Sequence, residues 1–493
     1  MSYQSLYTAA QTRELDRCTI EDHGVPGIRL MSRAGRAAFD LLLEEWPAPT
    51  ELHIYCGTGN NGGDGYIIAA LAQGRGIPVR VLQLGDESRI DGDALKARER
   101  ALADGVVVQK FDPAEEPEQG VIVDSMLGTG LGGEVRDEYR AAIEVINASP
   151  CPVLAIDIPS GLCSDTGRVL GAAVRADVTV TFIGVKRGLL TADAPDFVGY
   201  LAYDELEVPA GVYESLPVEC FHLDLDIALD SFPGHAETAH KGSFGHALVV
   251  GGNRGMGGAA VMATEAAARC GAGLVSAATR PEHLAAFIAR RPEVMAHGVS
   301  GGNDLLPMLE RPSVIAVGPG LGSDAWAEQL FYRCLGTGMP LVVDADALNL
   351  LAAGDILDKP VRDNWILTPH PGEAARLLKC TTAEIQSDRF AAVSALQERY
   401  GGVVVLKGAG SLVCGGAEVL VSSYGNPGMG SGGMGDVLSG VLAGLLARGM
   451  APLEAACLGV CLHSCAADLA AEEGEAGLLA TDLMPWLRLL LDA

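Results

Sequence analysis

Positive charge is scarce in this 493-residue chain: 35 lysines and arginines stand against 63 aspartates and glutamates, a formal net charge of −28. So acidic a chain is not built to lie along nucleic acid or an anionic membrane surface. Any phosphate it binds must be gripped locally, by backbone amides and a few lysines, against the field of the whole molecule. Long apolar runs are also missing. The most continuous, Val437 to Leu446, is too short to span a bilayer and contains two glycines. The opening MSYQSLYTAAQTRELDR is polar and lacks the apolar stretch of a secretory signal. The twelve cysteines include no C-x-x-C pair, and a chain of this length does not need disulfide staples. Free thiols in a reducing cytoplasm are the expected setting. Cys457, Cys461 and Cys465 recur every four residues, which reads as small core residues on one helix face rather than a metal or redox site.

What is present is an α/β pattern. Hydrophobic residues make up 48% of the chain and charged ones 20%, a balance that buries well. The 63 glycines are about twice the usual share, which points to many strand-to-loop transitions near ligands. Length alone calls for two domains. Short β-rich runs alternate with helical stretches, as in a parallel sheet covered by helices. In the first half the expected strands are Leu52–Cys56, Val79–Leu84, Val121–Met126, Val153–Ile158 and Val178–Ile183. In the second they are Ala247–Val250, Leu274–Ala278, Val314–Val317, Leu341–Asp344, Trp365–Thr368 and Val403–Leu406, closed by a hairpin of Ser411–Cys414 with Glu418–Ser422. The alternation lapses in the acidic stretch Glu205 to Thr238, which marks the boundary. The fold expected is α/β, with two different three-layer α/β/α domains at residues 1–220 and 238–493 and a linker at 221–237.

The segment Asn426 to Asp436 (NPGMGSGGMGD) puts five glycines and an aspartate at the start of an apolar helix. Glycines let backbone N–H groups approach a ligand, and a helix N-terminus adds unpaired donors and partial positive charge, so the segment suits an anion. An acid there repels a bound phosphate, unless it takes a proton from a hydroxyl about to be phosphorylated. Asp436 is the expected base on that ground. Other loops follow expected strands and could share its pocket: Gly251–Ala259, Gly318–Gly322, Asp344–Asn349, Thr368–Glu373 and Lys407–Ser411. Lys407, at a strand end before Gly-Ala-Gly, suits a phosphate or nucleotide contact. His370, between prolines, suits a turn as well as a ligand, and Asp344 and Asp346 suit caps as well as Mg²⁺-bound water.

In the first half, strand Leu52–Cys56 runs into Gly57–Gly65 and then an expected helix from Tyr66 to Gln73. This is neither a strict G-x-G-x-x-G nor a P-loop, yet its place after a first strand suits a phosphate. Asp124 leads into the glycine-rich Leu127–Glu134, and Asp157 into Pro159-Ser160-Gly161-Leu162, so three loops should converge beyond the strand ends. Taken alone, either aspartate could be a loop cap.

NNGGDG at Asn60–Gly65, DSMLGTG at Asp124–Gly130 and DIPSG at Asp157–Gly161 together resemble the NAD(P)H-hydrate epimerase domain of YjeF N-terminal type, over about residues 1 to 220. The resemblance implies a Rossmann-like domain in which Asn60, Asn61, Gly62, Gly63 and Asp64, with Gly128, Thr129, Gly130, Leu131, Gly132, Gly133 and Glu134, hold the damaged dinucleotide. It also implies a K⁺ ion near Asn61, Asp124 and Ser160, and Asp157 as the ligand-facing acid or base.

In the second half, Gly433-Met434-Gly435-Asp436 resembles the anion hole and base of the ribokinase-like superfamily. HKGSFGHALVVGG, GPGLG, DADALN, TPHPGE and KGAGS narrow the resemblance to its ADP-dependent NAD(P)H-hydrate dehydratases, over about residues 235 to 493. His370 opening an element that ends in Glu373 departs from ordinary sugar kinases and is similar to that branch. The implied hydrate contacts are Ala259, Gly320, His370 and Asp436. The implied nucleotide contacts are Lys407, Gly408, Ala409, Gly410, Ser411 and Gly435, with Mg²⁺ and ADP as partners. The resemblance implies a bifunctional repair enzyme that equilibrates the R and S hydrates, NADHX and NADPHX, and dehydrates the S form with ADP. A ribokinase-like vitamin-precursor or sugar kinase fused to a non-catalytic nucleotide-binding module is the alternative. Oligomeric state, a homo-oligomer included, is left open.

Overall fold

Each expected apolar run becomes a strand because helices cover both faces of its sheet. In the first half these are β1 (Leu52–Cys56), β2 (Val79–Gln83), β3 (Val107–Lys110), β4 (Val121–Ser125), β5 (Val153–Ile156), β6 (Val178–Phe182) and β7 (Tyr200–Asp204). Every residue of β1, β4, β5 and β6 is buried, and each large apolar side chain so placed contributes about 1.5–3 kcal/mol. β3 and β7, which the apolar pattern does not reveal, are the largely exposed edge strands. The order is β3-β2-β1-β4-β5-β6-β7 and all neighbours are parallel. Chain direction across the sheet therefore reverses between β1 and β4, the point at which open α/β sheets bind ligands.

The computed structural model describes residues 3–234, 237–354 and 361–492. It divides into two units, Ser5–Cys220 on one side and Met1–Gln4 with Phe221–Ala493 on the other. In the first unit the helices used below are α1 (Ala9–Arg17), α2 (Gly27–Glu45) and α3 (Asn60–Gly74). α3 begins inside the glycine-rich segment, six residues ahead of the expected Tyr66 start. The glycines are helical there because the turn is wedged against the sheet. A Cβ at Gly62 would lie 2.2 Å from the Gly57 carbonyl oxygen, and one at Gly65 would lie 2.1 Å from Ser125 Oγ.

The second unit holds β8 (His246–Val250), β9 (Leu274–Thr279), β10 (Met295–Gly298), β11 (Val314–Val317), β12 (Leu341–Val343), β13 (Trp365–Leu367), β14 (Val403–Leu406), β15 (Ser411–Cys414) and β16 (Val419–Ser422). They lie in the order β10-β9-β8-β11-β12-β13-β14-β15-β16, parallel as far as β14 and antiparallel through the expected hairpin. Its helices include α4 (Gly257–Arg269), α5 (Pro371–Leu378), α6 (Met434–Ala447) and α7 (Pro452–Ala471). α6 packs on α4 through missing side chains: a Cβ at Gly440 would sit 2.1 Å from the Ala263 carbonyl oxygen. By length and composition α7 is apolar enough to cross a bilayer. Its residues Ala455 to Ala467 are instead buried in this unit's core, the three cysteines at four-residue spacing among them.

The stretch expected as a linker, 221–237, carries structure of its own. Leu223 and Ala228 are buried in the second unit's core, and the Leu223 N–H donates to Val421 O at 2.8 Å. Asp224 caps the short helix Leu225–Leu229 through Ile227 N at 3.0 Å. The polar composition that suggested a connector reflects an amphipathic segment laid on a core. Residues 235 and 236 of that stretch, 1 and 2, 355–360 and 493 lie outside the described residues.

Candidate active sites

In the first unit the loops after β1 and β4 flank the switch point and enclose a cavity of about 550 Å³, a volume suited to a small-molecule ligand. Of the residues expected to hold ligand, Asn60, Asn61, Asp64, Gly128, Thr129, Gly130, Leu131, Gly132 and Asp157 line it. Gly62 and Gly63 are buried beside it, Gly63 so close to α2 that a Cβ would lie 2.5 Å from Met31 Cε. Gly133 and Glu134 fall outside the cavity wall.

Asp124 and Ser160 lie behind the cavity and lock the two strand ends together. Ser160 Oγ donates to Asp124 Oδ1 at 2.5 Å, Ser160 N–H to Oδ2 at 2.7 Å, and Met126 N–H to Oδ1 at 3.2 Å. The Leu127 N–H in turn donates to Ser160 Oγ at 2.9 Å. Burial pushes the Asp124 carboxyl up to about 6 despite these bonds, and among the described residues no cation pairs with it. Asn61, at the start of α3, is 8% exposed, and neither oxygen nor nitrogen of its carboxamide has a hydrogen-bond partner. An orphaned buried amide costs about 1–3 kcal/mol, a cost that a ligand at this point offsets.

Asp157 follows β5 with φ +70°, a left-handed conformation that costs a non-glycine residue about 1–3 kcal/mol. Its carboxylate accepts a very short hydrogen bond from Lys186 Nζ. Lys186 is 1% exposed and also donates to Thr181 Oγ1 at 3.0 Å and Phe182 O at 3.1 Å, which uses all three ammonium hydrogens. Two further carboxyls share this neighbourhood. Burial, reinforced by the Asp157 and Asp16 charges, holds Asp64 well above the usual carboxylate range. Burial raises Asp16 to about 6, with Lys186 opposing and Asp157 adding to the rise. Lys186 and Asp16 were not among the expected site residues. Lys186 follows β6 in Val-Lys-Arg-Gly, a weak strand-end signal, and Asp16 sits on α1 with nothing local to mark it.

In the second unit Asp436 occupies the first turn of α6, after Gly433 at φ +98°. Burial, followed by the Asp344 charge, pushes its carboxyl up to about 7 with Lys407 opposing. Lys407 Nζ donates to Asp344 Oδ1 at 2.7 Å and lies 3.9 Å from Glu373 Oε2. Burial alone would lower the lysine, and those carboxylates raise it instead. Asp344 stands at the N-cap of the helix Ala345–Ala353, but its side chain makes no cap bond and instead also accepts from Thr368 Oγ1 and Ser439 Oγ, both at 2.8 Å. Burial would raise its carboxyl, but Lys407 and these donors hold it below the ordinary value. Gly435 passes so near that a Cβ there would sit 3.4 Å from Lys407 Nζ.

Asp346 accepts the Gly322 N–H at 2.7 Å, tying the GPGLG loop to the DADALN turn. Gly320 abuts Ala259: a Cβ on the glycine would lie 3.1 Å from the alanine methyl. His370 caps α5, its Nδ1 accepting the Gly372 N–H at 3.0 Å while its own N–H donates to Glu373 Oε2 at 2.8 Å. The turn role is therefore filled; Nε2 lies 3.4 Å from Glu373 Oε1, and about half of the side chain remains exposed. Between Lys407 and Ser411, Gly408 and Ala409 are exposed and Ser411 Oγ donates to Gly408 O at 3.1 Å. Arg389, fully buried, braces this loop by donating to the carbonyls of Leu406 and Gly410 at 3.3 and 3.2 Å. Ser431 Oγ and His463 Nε2, neither foreseen, are buried without a partner near the same helix start. Burial pushes His463 down to about 4, so it is neutral.

Two parallel α/β sheets, each with glycine-rich loops and reactive carboxylates at its strand ends, define a two-domain enzyme whose second half is ribokinase-like. Residues 27–188 match the family of the YjeF-related protein N-terminus, and residues 247–488 match NAD(P)H-hydrate dehydratase. A bifunctional NAD(P)H-hydrate repair enzyme of Coxiella burnetii is 47% identical over 99% of both chains, and one of Escherichia coli K12 is 40% identical over 99% of this chain and 94% of its own. A ribokinase-like superfamily protein of Enterococcus faecalis V583 superposes with a TM-score of 0.51 at 31% identity, covering 56% of this chain and 96% of that one. An ADP/ATP-dependent NAD(P)H-hydrate dehydratase of Bacillus subtilis, co-crystallized with ATP/Mg²⁺, superposes at 0.50 and 27% identity, covering 55% of this chain and 96% of that one. The chain belongs to the family of bifunctional NAD(P)H-hydrate repair enzymes.

Proposed function

We propose that the first unit interconverts the R and S hydrates of NADH and NADPH and that the second dehydrates the S form, with ADP as phosphoryl donor. The observation that carries the second half is Asp436, a carboxyl titrating near neutrality at the start of a helix behind five glycines. Hydroxide leaves poorly at neutral pH. Asp436 takes the proton of the ring hydroxyl, whose oxygen attacks the terminal phosphorus of the nucleotide. AMP leaves, and the amides around Gly428–Gly435 absorb the charge that develops. The ring nitrogen then expels phosphate, and loss of a ring proton restores the dihydronicotinamide. Lys407, its charge secured by Asp344, and the Gly408–Ser411 loop face the nucleotide. Ala259, Gly320 and His370 face the hydrate. Asp344 is committed to Lys407, so Mg²⁺ is assigned to the nucleotide phosphates rather than to a protein cage.

In the first unit, Asp157 is the proton-transfer group. The orphaned Asn61 amide, with Ser160 and an Asp124 carboxylate that no cation among the described residues pairs, suits a K⁺ ion, which when bound would neutralise Asp124 and fix the β4 loop. A reducing cytoplasm suits the twelve cysteines, all of them free thiols. The test separates the two sites. With the full chain and mixed hydrates, Asp436→Ala should abolish ADP-dependent recovery of dihydronicotinamide absorbance, and R-to-S exchange followed by chromatography should continue. Asp157→Ala should do the reverse when pure R hydrate is supplied. Loss of both activities in either variant refutes two independent sites, and a stable phosphorylated product would show a kinase instead.

A further inference from the structure

The cavity of the first unit is lined by more carboxylates than cations. Asp16, Asp64, Asp93 and Asp157 face it, against Arg13 and Lys186. The three hydrogens of Lys186 are spent on Asp157, Thr181 and Phe182 O. Arg13 donates to the carbonyl of Thr129 at 3.1 Å. Asp157 therefore has a direct counter-ion, and Asp16 and Asp64 share only its field. Like charges confined together cannot all ionise, and burial with the neighbouring charges raises the carboxyls of Asp64 and Asp16. Asp64 lies on α3 where that helix is wedged against the sheet, and Asp16 projects from α1 beside Thr12 and Arg13 at the cavity wall. Asn61, whose buried amide has no partner, lines the same cavity and marks it as a ligand site.

We propose that Asp16 is a second catalytic residue of hydrate epimerisation, a general acid paired with Asp157 as base, with Lys186 the positioning residue that keeps the two roles apart. The inference rests on the epimerase reading above. Starting from the R hydrate, the Asp16 carboxylic acid gives its proton to the hydroxyl oxygen on the ring carbon beside nitrogen. The C–O bond breaks and water leaves, while the nitrogen lone pair forms the C=N bond. Water then adds to the opposite face, the C=N electrons return to nitrogen, and the Asp157 carboxylate takes the proton of the new C–O group. The proton has moved from Asp16 to Asp157. Turnover of the S hydrate runs the roles in reverse, and exchange with cavity water resets the pair. A site that must run in both directions needs an acid and a base that can trade places. The Asp16 carboxyl, titrating at about 6, can do so.

The experiment uses the full chain without nucleotide, with purified R hydrate followed to S by chromatography between pH 5.5 and 9. The wild type should lose rate as pH rises through about 6, because Asp16 must carry a proton. Asp16→Asn should lower kcat by about 10²-fold or more with little change in KM, and should lose that limb of the profile. Asp16→Glu should restore both rate and limb in large part. Dehydration of pure S hydrate with ADP, which does not use this cavity, checks that the chain is folded. An Asp16→Asn rate equal to wild type, or a loss that leaves the pH profile unchanged and that Glu does not rescue, overturns the assignment. A wild type that fails to exchange R for S overturns the epimerase reading itself, a distinguishable result.

Discussion

A carboxyl raised to about 7 is a compromise between folding and chemistry. Asp436 would titrate near 3.8 in the unfolded chain, so between 3.8 and about 7 the folded state holds a proton that the unfolded state has lost. Stability from this group is therefore fully present below 3.8 and is lost as pH rises through about 7. The base works only when ionised, so activity runs the other way. The dehydration rate should fall as pH drops below about 7. Asp436→Asn should remove that limb together with about 10²–10⁴ of the rate. The same variant should melt higher at pH 8, by an amount that the shift from 3.8 to about 7 caps at about 4 kcal/mol. Parallel melting and rate profiles check both signs in one protein. Asp436 and Asp157 were legible in the sequence because Asp436 closes a glycine-rich motif and Asp157 opens a proline-bearing one. Lys186 and Asp16 were not, because what makes them reactive is proximity to Asp157 across 29 and 141 residues of chain, respectively, and no local pattern encodes that.

The regular elements carry the glycines for a different reason than expected. Asn60–Gly65 and Gly257–Ala259, expected in loops, are helix starts, and at Gly62 and Gly257 the missing Cβ permits close approach. The β-strands were legible almost to the residue because burial on both faces leaves unbroken apolar runs such as Val121–Ser125 and Val403–Leu406. The edge strands Val107–Lys110, Tyr200–Asp204 and Met295–Gly298 were not, since one partner and a solvent face relax the demand for apolar residues. The Gly440 contact between α6 and α4 tests the close-approach reading. A methyl at 2.1 Å from the Ala263 carbonyl oxygen must push the helices apart, although alanine favours helix by about 1 kcal/mol over glycine. Gly440→Ala should thus destabilise the second unit by about 1–3 kcal/mol net, the opposite sign from an exposed helical glycine. Because α6 carries Asp436, dehydration should weaken as well, while hydrate exchange in the first unit holds. Urea unfolding and the two separate assays measure these effects.

At the scale of the whole molecule, the net charge of −28 opposes both substrates, since the hydrates carry a pyrophosphate and ADP is an anion. Most enzymes of anionic ligands gather them with a basic surface, and their kcat/KM falls as salt screens the attraction. Here the cations found at the sites are largely committed within the protein. Lys186 serves Asp157, Lys407 serves Asp344, and Arg389 serves backbone carbonyls. Capture then rests on amides and helix starts, which act within a few ångströms, against a repulsion that extends over roughly a Debye length of 10 Å at 0.1 M salt. Screening should therefore help. With K⁺ and Mg²⁺ held fixed, raising an inert salt such as tetramethylammonium chloride from 10 to 150 mM should raise kcat/KM of both reactions by about two- to fivefold. The change should appear in KM and leave kcat nearly flat, because the chemistry takes place inside pockets that salt does not enter. A fall in kcat/KM with salt in one reaction would mean that an uncommitted basic group steers that substrate. Arg13, at the wall of the epimerase cavity, is the first residue to replace in that event.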